Sequence, residues 1–405
     1  RTYAEELVEY CKKMGYNYIE LMPITEYPYL GSWGYQSTGY FSPSSRFGLP
    51  EDFMYFVDKA HQGGIGIIMD WVPAHFPKDD FGLCEFDGEY LYEDSRPTRM
   101  EYPTWGTRIF NYSKPEVKSF LLSSANLFFE KYHIDGLRVD AVAAMLYLDY
   151  DRKKWIPNVY GENYNLETID FLKTLNMEMF KKHGNILMIA EESTAFPKVT
   201  YPVYDGGLGF NFKWSMGWMN DTLTYMKIDP LFRKYEHNKL TFAMTYAFSE
   251  NYILPLSHDE VVHGKKSLVD KMPGEYDEKF ANLRTYYAYM MTHPGKKLLF
   301  MGGEFGQFIE WDEKKELDWF LLKYPRHTEL QRYVKRLNHL YLRSPNLYAI
   351  DNSWDGFEWI YADDYNHNTY VYVRKYQDSR DIIVVLNFSG ADIIDYEIHY
   401  KPLRG

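Results

Sequence analysis

Two hydrophobic rhythms alternate along the chain. In "TYAEELVEYCKKMG" (2–15), Ala4, Leu7, Val8 and Cys11 recur at helical spacing and mark one face of a helix. "YNYIELMPI" (16–24) follows with strand character. "PEDFMYFVDKAHQGG" (50–64) reads as a helix opened by Pro50 and closed by glycines, and "IGIIMDWV" (65–72) as a buried strand. "SKPEVKSFLLSSANLFFEKY" (113–132) predicts a helix with a Ser113/Glu116 capping box and a stripe of Val117, Phe120, Leu121, Phe128 and Tyr132. The pattern repeats as strand 136–142, helix 166–183, strand 186–193, a weaker strand 210–215 and helix 216–226. Strand 252–259 (despite Pro255), helix 278–292, strand 296–306 and helix 328–343 complete it.

Seven strands thus alternate with helices or long excursions, and one helix stands ahead of the first strand. This rhythm belongs to an α/β protein, a (β/α)8 TIM barrel lacking its first strand. The chain is expected to begin just after that strand. From about residue 349 the rhythm changes to short β-type runs, "FEWIYAD", "NTYVYVRKY" and "DIIVVLNFSG", separated by turn signals. The expected organisation is a catalytic barrel over 1–346 and a partial all-β, sandwich-type C-terminal domain over 347–405.

Composition narrows the partners. The net charge of −12 argues against nucleic acid or an anionic membrane as the main partner. No apolar run reaches about 18 residues, the length of a spanning helix, and no signal peptide is visible. Cys11 and Cys84 show no metal spacing and read as reduced thiols, as in a cytoplasmic protein. Aromatics are abundant at 19%, with 39 Tyr and 10 Trp. They read either as a Tyr-rich core and surface or as stacking platforms with hydroxyl donors, which suit sugars.

Chemistry in a parallel barrel sits at the C-terminal ends of the strands. Asp70 ends "IGIIMD"; Arg138 and Asp140 lie late in "GLRVDAV"; Glu191 and Glu192 end "ILMIAEE"; His258 and Asp259 end "YILPLSHD"; Glu304 ends "KKLLFMGGE". So many acids converging on one rim fit either a divalent-cation site or a glycosidase-type pair of carboxylates. Arg138 and Asp140, two apart in a strand, share a face. An arginine there favours the charged form of Asp140, which a nucleophile needs and a metal site does not. Glu191 would need a raised pKa to donate a proton at neutral pH.

At this point motifs accumulate. "DWVPAHF" (70–76), "DGLRVDAVAAM" (135–145), "IAEEST" (189–194) and "LPLSHDEVVHGKKSL" (254–268) resemble, in order, the four short regions of the α-amylase clan of glycoside hydrolases. "GSWGYQSTGYFSPSSRFG" (31–48), "GGLGFNFKWSMGWMNDTLTYM" (206–226), "KMPGEYDEKFANLRTYYAYM" (271–290) and "GGEFGQFIEWDEKKELDW" (302–319) resemble bacterial 1,4-α-glucan (glycogen) branching enzymes.

The resemblance implies roles. Asp140 would be the nucleophile, Glu191 the acid/base and Asp259 a third acid holding sugar hydroxyls. Arg138 would orient Asp140. Asp70, His75 and His258 would grip the sugar at the cleavage point, and Tyr35 would stack beneath it. No cofactor and no metal are implied, and the partner would be glycogen or another α-glucan. The reaction would be a retaining transfer that makes an α-1,6 branch. An α-glucan hydrolase and a non-catalytic glucan-binding fragment stand as alternatives. Ser37 occupies a position where the family usually has Pro, a change expected to loosen its loop. A retaining mechanism requires the Asp140 and Glu191 carboxylates to lie within about 6 Å of each other.

Overall fold

The computed structural model describes residues 1–401. The chain divides into two compact units, Arg1–Lys213 and Trp214–Gly405. In the first, helices α1 (Thr2–Met14), α2 (Pro50–Gln62), α3 (Pro115–Tyr132), α4 (Val142–Leu146) and α5 (Leu166–Lys182) alternate with strands. These are β1 (Tyr18–Leu21), β2 (Gly66–Trp71), β3 (Gly136–Val139), β4 (Leu187–Ala190) and β5 (Phe212–Trp214). They pair in parallel, in sequence order from β1 to β5.

Register explains how these strands serve two purposes. Met69 pairs with Leu137 and Leu137 with Met188; Asp70 pairs with Arg138 and Arg138 with Ile189. Because side chains alternate across a strand, one sheet face carries Ile67, Met69, Leu137, Val139, Met188 and Ala190. All six join the hydrophobic core with Leu121, Ala125 and Phe128 of α3 and Phe171, Leu172 and Leu175 of α5. The opposite face carries Ile68, Asp70, Arg138 and Ile189. A strand buried on both faces can thus hold charges, provided they meet one another.

Element ends depart from the sequence expectations in one consistent way. β3 stops at Val139, β4 at Ala190 and β7 (Lys296–Leu299) well short of 306. The acids at those ends lie beyond the paired backbone, where the chain is already turning away. After β3 that turn is sharp: Ala141 sits at φ 53 and ψ 34, in the left-handed region, and α4 starts at the next residue. The Ser113/Glu116 capping box does not form. Pro115 begins α3 and Lys114 is its N-cap without a side-chain bond. Ser113 instead gives its N–H and hydroxyl to Asn111 Oδ1 (3.1 and 2.6 Å), closing a turn one residue too early to cap. Pro at the first helical position costs nothing, because that N–H has no helical partner.

The second unit contains α6 (Met216–Met226), β6 (Tyr252–Leu256), α7 (Tyr276–Thr292), β7 and α8 (Pro325–Arg343). β6 and β7 pair in parallel, with Pro255 opposite Leu298. Then come β8 (Phe357–Asp364), β9 (Thr369–Arg374) and β10 (Ile382–Asn387), an antiparallel sheet with β9 at its centre. All six β9 residues are buried, and Arg374 bonds Asp351 Oδ1 (2.7 Å) and the Thr292 carbonyl (2.7 Å). Among the described residues no helix is long and apolar enough to cross a membrane. Cys11 and Cys84 are free thiols.

Gly136 is required by close approach. A Cβ there would lie 2.9 Å from both Leu187 Cβ and the Leu187 carbonyl of the paired strand. Gly136→Ala should therefore destabilise the chain by about 1–3 kcal/mol, the usual cost of overpacking. Urea unfolding checks this, and an unchanged midpoint would show that β3 and β4 separate without penalty.

Candidate active site

Asp70, Arg138 and Glu191 come together because of the register just described. Arg138 is 1% exposed. Its Nη1 bonds both oxygens of Asp70 (2.7 and 2.7 Å) and Asp140 Oδ1 (2.8 Å). Its Nη2 lies 2.9 Å from Glu191 Oε2. That same oxygen accepts the Ala141 N–H at 2.9 Å, so the left-handed turn after β3 aims a backbone donor at Glu191. One guanidinium therefore serves three carboxylates.

Electrostatics follow from that count. Burial pushes Asp140 well above the usual carboxylate range, Glu191 and Asp70 add to the rise, and Arg138 opposes it. Burial likewise pushes Asp70 up to about 6, against the pull of Arg138 and Tyr35. Arg138 favours the charged form of Asp140, as its place two residues away suggests, but burial and the neighbouring acids pull the other way. One cation thus faces three acids, two of them buried. Arg138 itself is raised far above its ordinary value: burial works against its charge, but the surrounding carboxylates outweigh that.

Tyr35 and His75 complete the group from loops. Tyr35 donates its hydroxyl to Asp70 Oδ2 (2.6 Å), and its ring lies 5.9 Å from the Arg138 guanidinium carbon. Gly34 makes this placement possible, since it has φ +95 and a Cβ there would lie 2.2 Å from the Pro23 carbonyl. Ser37 does not loosen this loop. It is fully buried, its hydroxyl lies 2.6 Å from Thr25 Oγ1, and it donates to the Gly34 carbonyl (3.1 Å). His75 starts a short ribbon strand and is held by Tyr40, whose hydroxyl bonds the His75 carbonyl (2.9 Å). Its Nε2 lies 3.9 Å from Asp140 Oδ2, and its buried Nδ1 has no hydrogen-bond partner.

The neighbouring glutamates Glu191 and Glu192 have separate surroundings. Glu192 is fully buried; its Oε2 bonds Lys213 Nζ at 2.5 Å and its Oε1 accepts the Thr194 N–H at 2.7 Å. Its charge is thus neutralised locally, and only Glu191 faces Arg138. Sequence reasoning passed over two participants. Lys213 is one. Glu20 is the other: burial pushes it up to about 8, with Arg138 drawing it down and Asp70 raising it. The signal was available, a charge inside the apolar run "YIEL" of β1.

His258 and Asp259 belong to the second unit. They open the short helical turn His258–Val261 directly after β6, with His258 buried and its Nε2 3.4 Å from Asp259 Oδ1. Glu304, in the turn Gly303–Phe305 after β7, is buried.

This geometry can be set beside known proteins. The family model "Alpha amylase, catalytic domain" matches residues 5–85 and 105–377, most of the chain. The chain belongs to the α-amylase family. Within it, the chain is 60% identical over 401 residues to the 1,4-alpha-glucan branching enzyme GlgB of Halothermothrix orenii, covering 98% of this chain and 64% of that protein. It is 56% identical over 399 residues to GlgB of Aquifex aeolicus, covering 98% and 63%. The chain thus spans somewhat under two thirds of these relatives. Among solved structures it is similar to an α-amylase from Geobacillus thermoleovorans complexed with acarbose. The TM-score is 0.70 at 17% identity, covering 95% of this chain and 80% of that one. It is also similar to a maltogenic α-amylase from Thermotoga neapolitana, with TM-score 0.69 at 18% identity, covering 96% and 81%. The α-amylase family fold is accordingly that of this chain: seven strands of the (β/α)8 pattern with a helix ahead of the first, then all-β strands.

His75 gives a pH signature. Burial lowers its pKa to about 4, against 6.5 in the unfolded chain. A histidine with a lowered folded-state pKa contributes full stability above pH 6.5, and this is lost as pH falls toward 4. The loss should reach about 3 kcal/mol. Unfolding curves across pH 4–7 should therefore be flatter for His75→Gln than for the unsubstituted chain; equal slopes would mean that His75 titrates normally.

Proposed function

We propose that this chain carries the chemistry of a 1,4-α-glucan branching enzyme, acting on glycogen or a related α-glucan with retention of configuration. The observation that carries the reading is the pair Asp140 and Glu191 held by one guanidinium, within 2.8 and 2.9 Å of its two terminal nitrogens. Retaining glycosidases need two carboxyls this close, one to attack and one to move a proton.

The steps balance as follows. Asp140 attacks the anomeric carbon of an α-1,4 linkage while Glu191 gives its proton to the departing 4-oxygen. The C1–O4 bond breaks and a glycosyl ester to Asp140 forms. Glu191, now a carboxylate, takes the proton of an acceptor 6-hydroxyl. That oxygen displaces Asp140 and forms the α-1,6 branch. Arg138 then stabilises the nucleophile, Asp70 and the Nε2 of His75, which lies beside Asp140, hold sugar hydroxyls, and Tyr35 offers a ring face. We assign His258 to the same sugar and Asp259 to the third-acid role on the strength of their motif.

The division into a catalytic part over 1–346 and a β-domain over 347–405 is supported by the switch from parallel to antiparallel pairing after α8. Free thiols at Cys11 and Cys84 suit a reducing cytoplasmic setting.

Branching lowers the iodine staining of amylose without releasing reducing ends, whereas hydrolysis releases them. Asp140→Asn should reduce the staining change by at least a thousandfold with glucan binding retained, a typical loss for a missing nucleophile. Residual activity within tenfold would count against Asp140. Reducing ends released in proportion to the staining loss would make the chain a hydrolase instead.

A further inference from the structure

The loop that follows β6 carries His258 and Asp259, and its backbone is held by groups the reaction does not use. It contains three left-handed residues: His263 at φ 56, Gly264 at φ 77 and Lys266 at φ 67. Side-chain-bearing residues avoid this region, so the loop needs outside restraint. Lys271 supplies it from one side. Its side chain is buried, and its ammonium donates to the carbonyls of Glu260, Lys265 and Lys266. An ammonium has three N–H bonds, and each finds one carbonyl of this loop. Glu310 supplies the other side, with Oε2 accepting the Gly264 N–H (3.1 Å) and Oε1 the Lys266 N–H (2.5 Å). Two further bonds close the frame: Lys265 Nζ to the Asp259 carbonyl at 2.7 Å, and the Trp311 N–H to the Val261 carbonyl at 3.0 Å.

We propose that Lys271, with Glu310, is a positioning residue: a buried cation that gathers the carbonyls of Glu260, Lys265 and Lys266, ties the loop back on the turn bearing Asp259, and fixes where this acid is presented. This rests on the transfer reaction proposed above. It also gives a role to the start of "KMPGEYDEKFANLRTYYAYM", a stretch the catalytic assignment leaves unused. The environment agrees with a structural cation paired mainly with dipoles. Burial lowers Lys271 to about 8; Lys227 and Lys265 lower it further, and Glu260 and Glu310 raise it. Lys271→Met removes all three donors and leaves the buried Glu260 carbonyl unsatisfied and the Lys265 and Lys266 carbonyls untethered. The loop is then free to leave its left-handed path.

The experiment compares Lys271→Met and Glu310→Ala with the unsubstituted chain by two independent readouts. Backbone hydrogen exchange followed by mass spectrometry should rise at least tenfold across residues 258–267 in both variants, with β1 to β5 unchanged. Branching of amylose, read by iodine staining, should lose at least tenfold in kcat with KM within twofold, because the groups on β2 to β4 still hold the donor sugar while the loop bearing His258 and Asp259 is misplaced. Unchanged exchange across 258–267 in both variants would overturn the proposal, as would a kcat within twofold. If the unsubstituted chain branches nothing, the functional reading fails, and the exchange readout alone still decides whether Lys271 and Glu310 hold the loop. If Lys271→Met does not fold, Glu310→Ala decides both points.

Discussion

The first unit depends on one shared cation. Arg138 is buried and is bonded to Asp70, Asp140 and Glu191 at once. Removing water from four charged groups is expensive, and their mutual attraction offsets the cost only because each bond is short and directed. This constraint reaches outward. It requires Asp70 and Arg138 to be register partners, the chain to turn immediately after Val139, and Tyr35 to arrive from a loop to complete Asp70. It also imposes an uneven charge balance, three acids to one base.

The site is supported by neutralising its competitors. Glu192, adjacent to Glu191, would add a fourth negative charge if it faced the same way. Lys213 and Thr194 bind it on the other side of the strand end, so two consecutive identical residues have different fates. The second unit shows a related device at the loop after β6, where an ammonium organises carbonyls and a carboxylate organises amides. Charged side chains hold backbone in place at both strand ends, where no ladder remains to do so.

Much of this was legible in the sequence. Strand and helix order followed from periodicity, because each strand is bounded by turns and each long helix shows an apolar stripe. The acids at strand ends were legible because a charge at the end of an apolar run is conspicuous. Strand ends were not, since "GLRVDAV" remains apolar past Val139 and nothing in Ala141 announces a left-handed turn. The α3 cap was misread because Asn111, outside the motif, competes for Ser113. The upward push on Asp140 was out of reach for another reason. It depends on how many carboxylates share one arginine, and these come from strands about fifty to seventy residues apart.

The alternation across the sheet has a consequence for how such a chain can change over time. In β3, Leu137 and Val139 face the core, while Arg138 faces the chemistry. Deleting or inserting a single residue upstream in that strand would exchange the two sets, placing a guanidinium among the leucines of α5 and an aliphatic chain between the acids. Point substitutions on either face are graded in effect, whereas a one-residue frameshift of the strand damages stability and catalysis together. Only the excursions between strands can change length without that double cost, so the segments that look least distinctive in composition are those whose length is most tightly constrained.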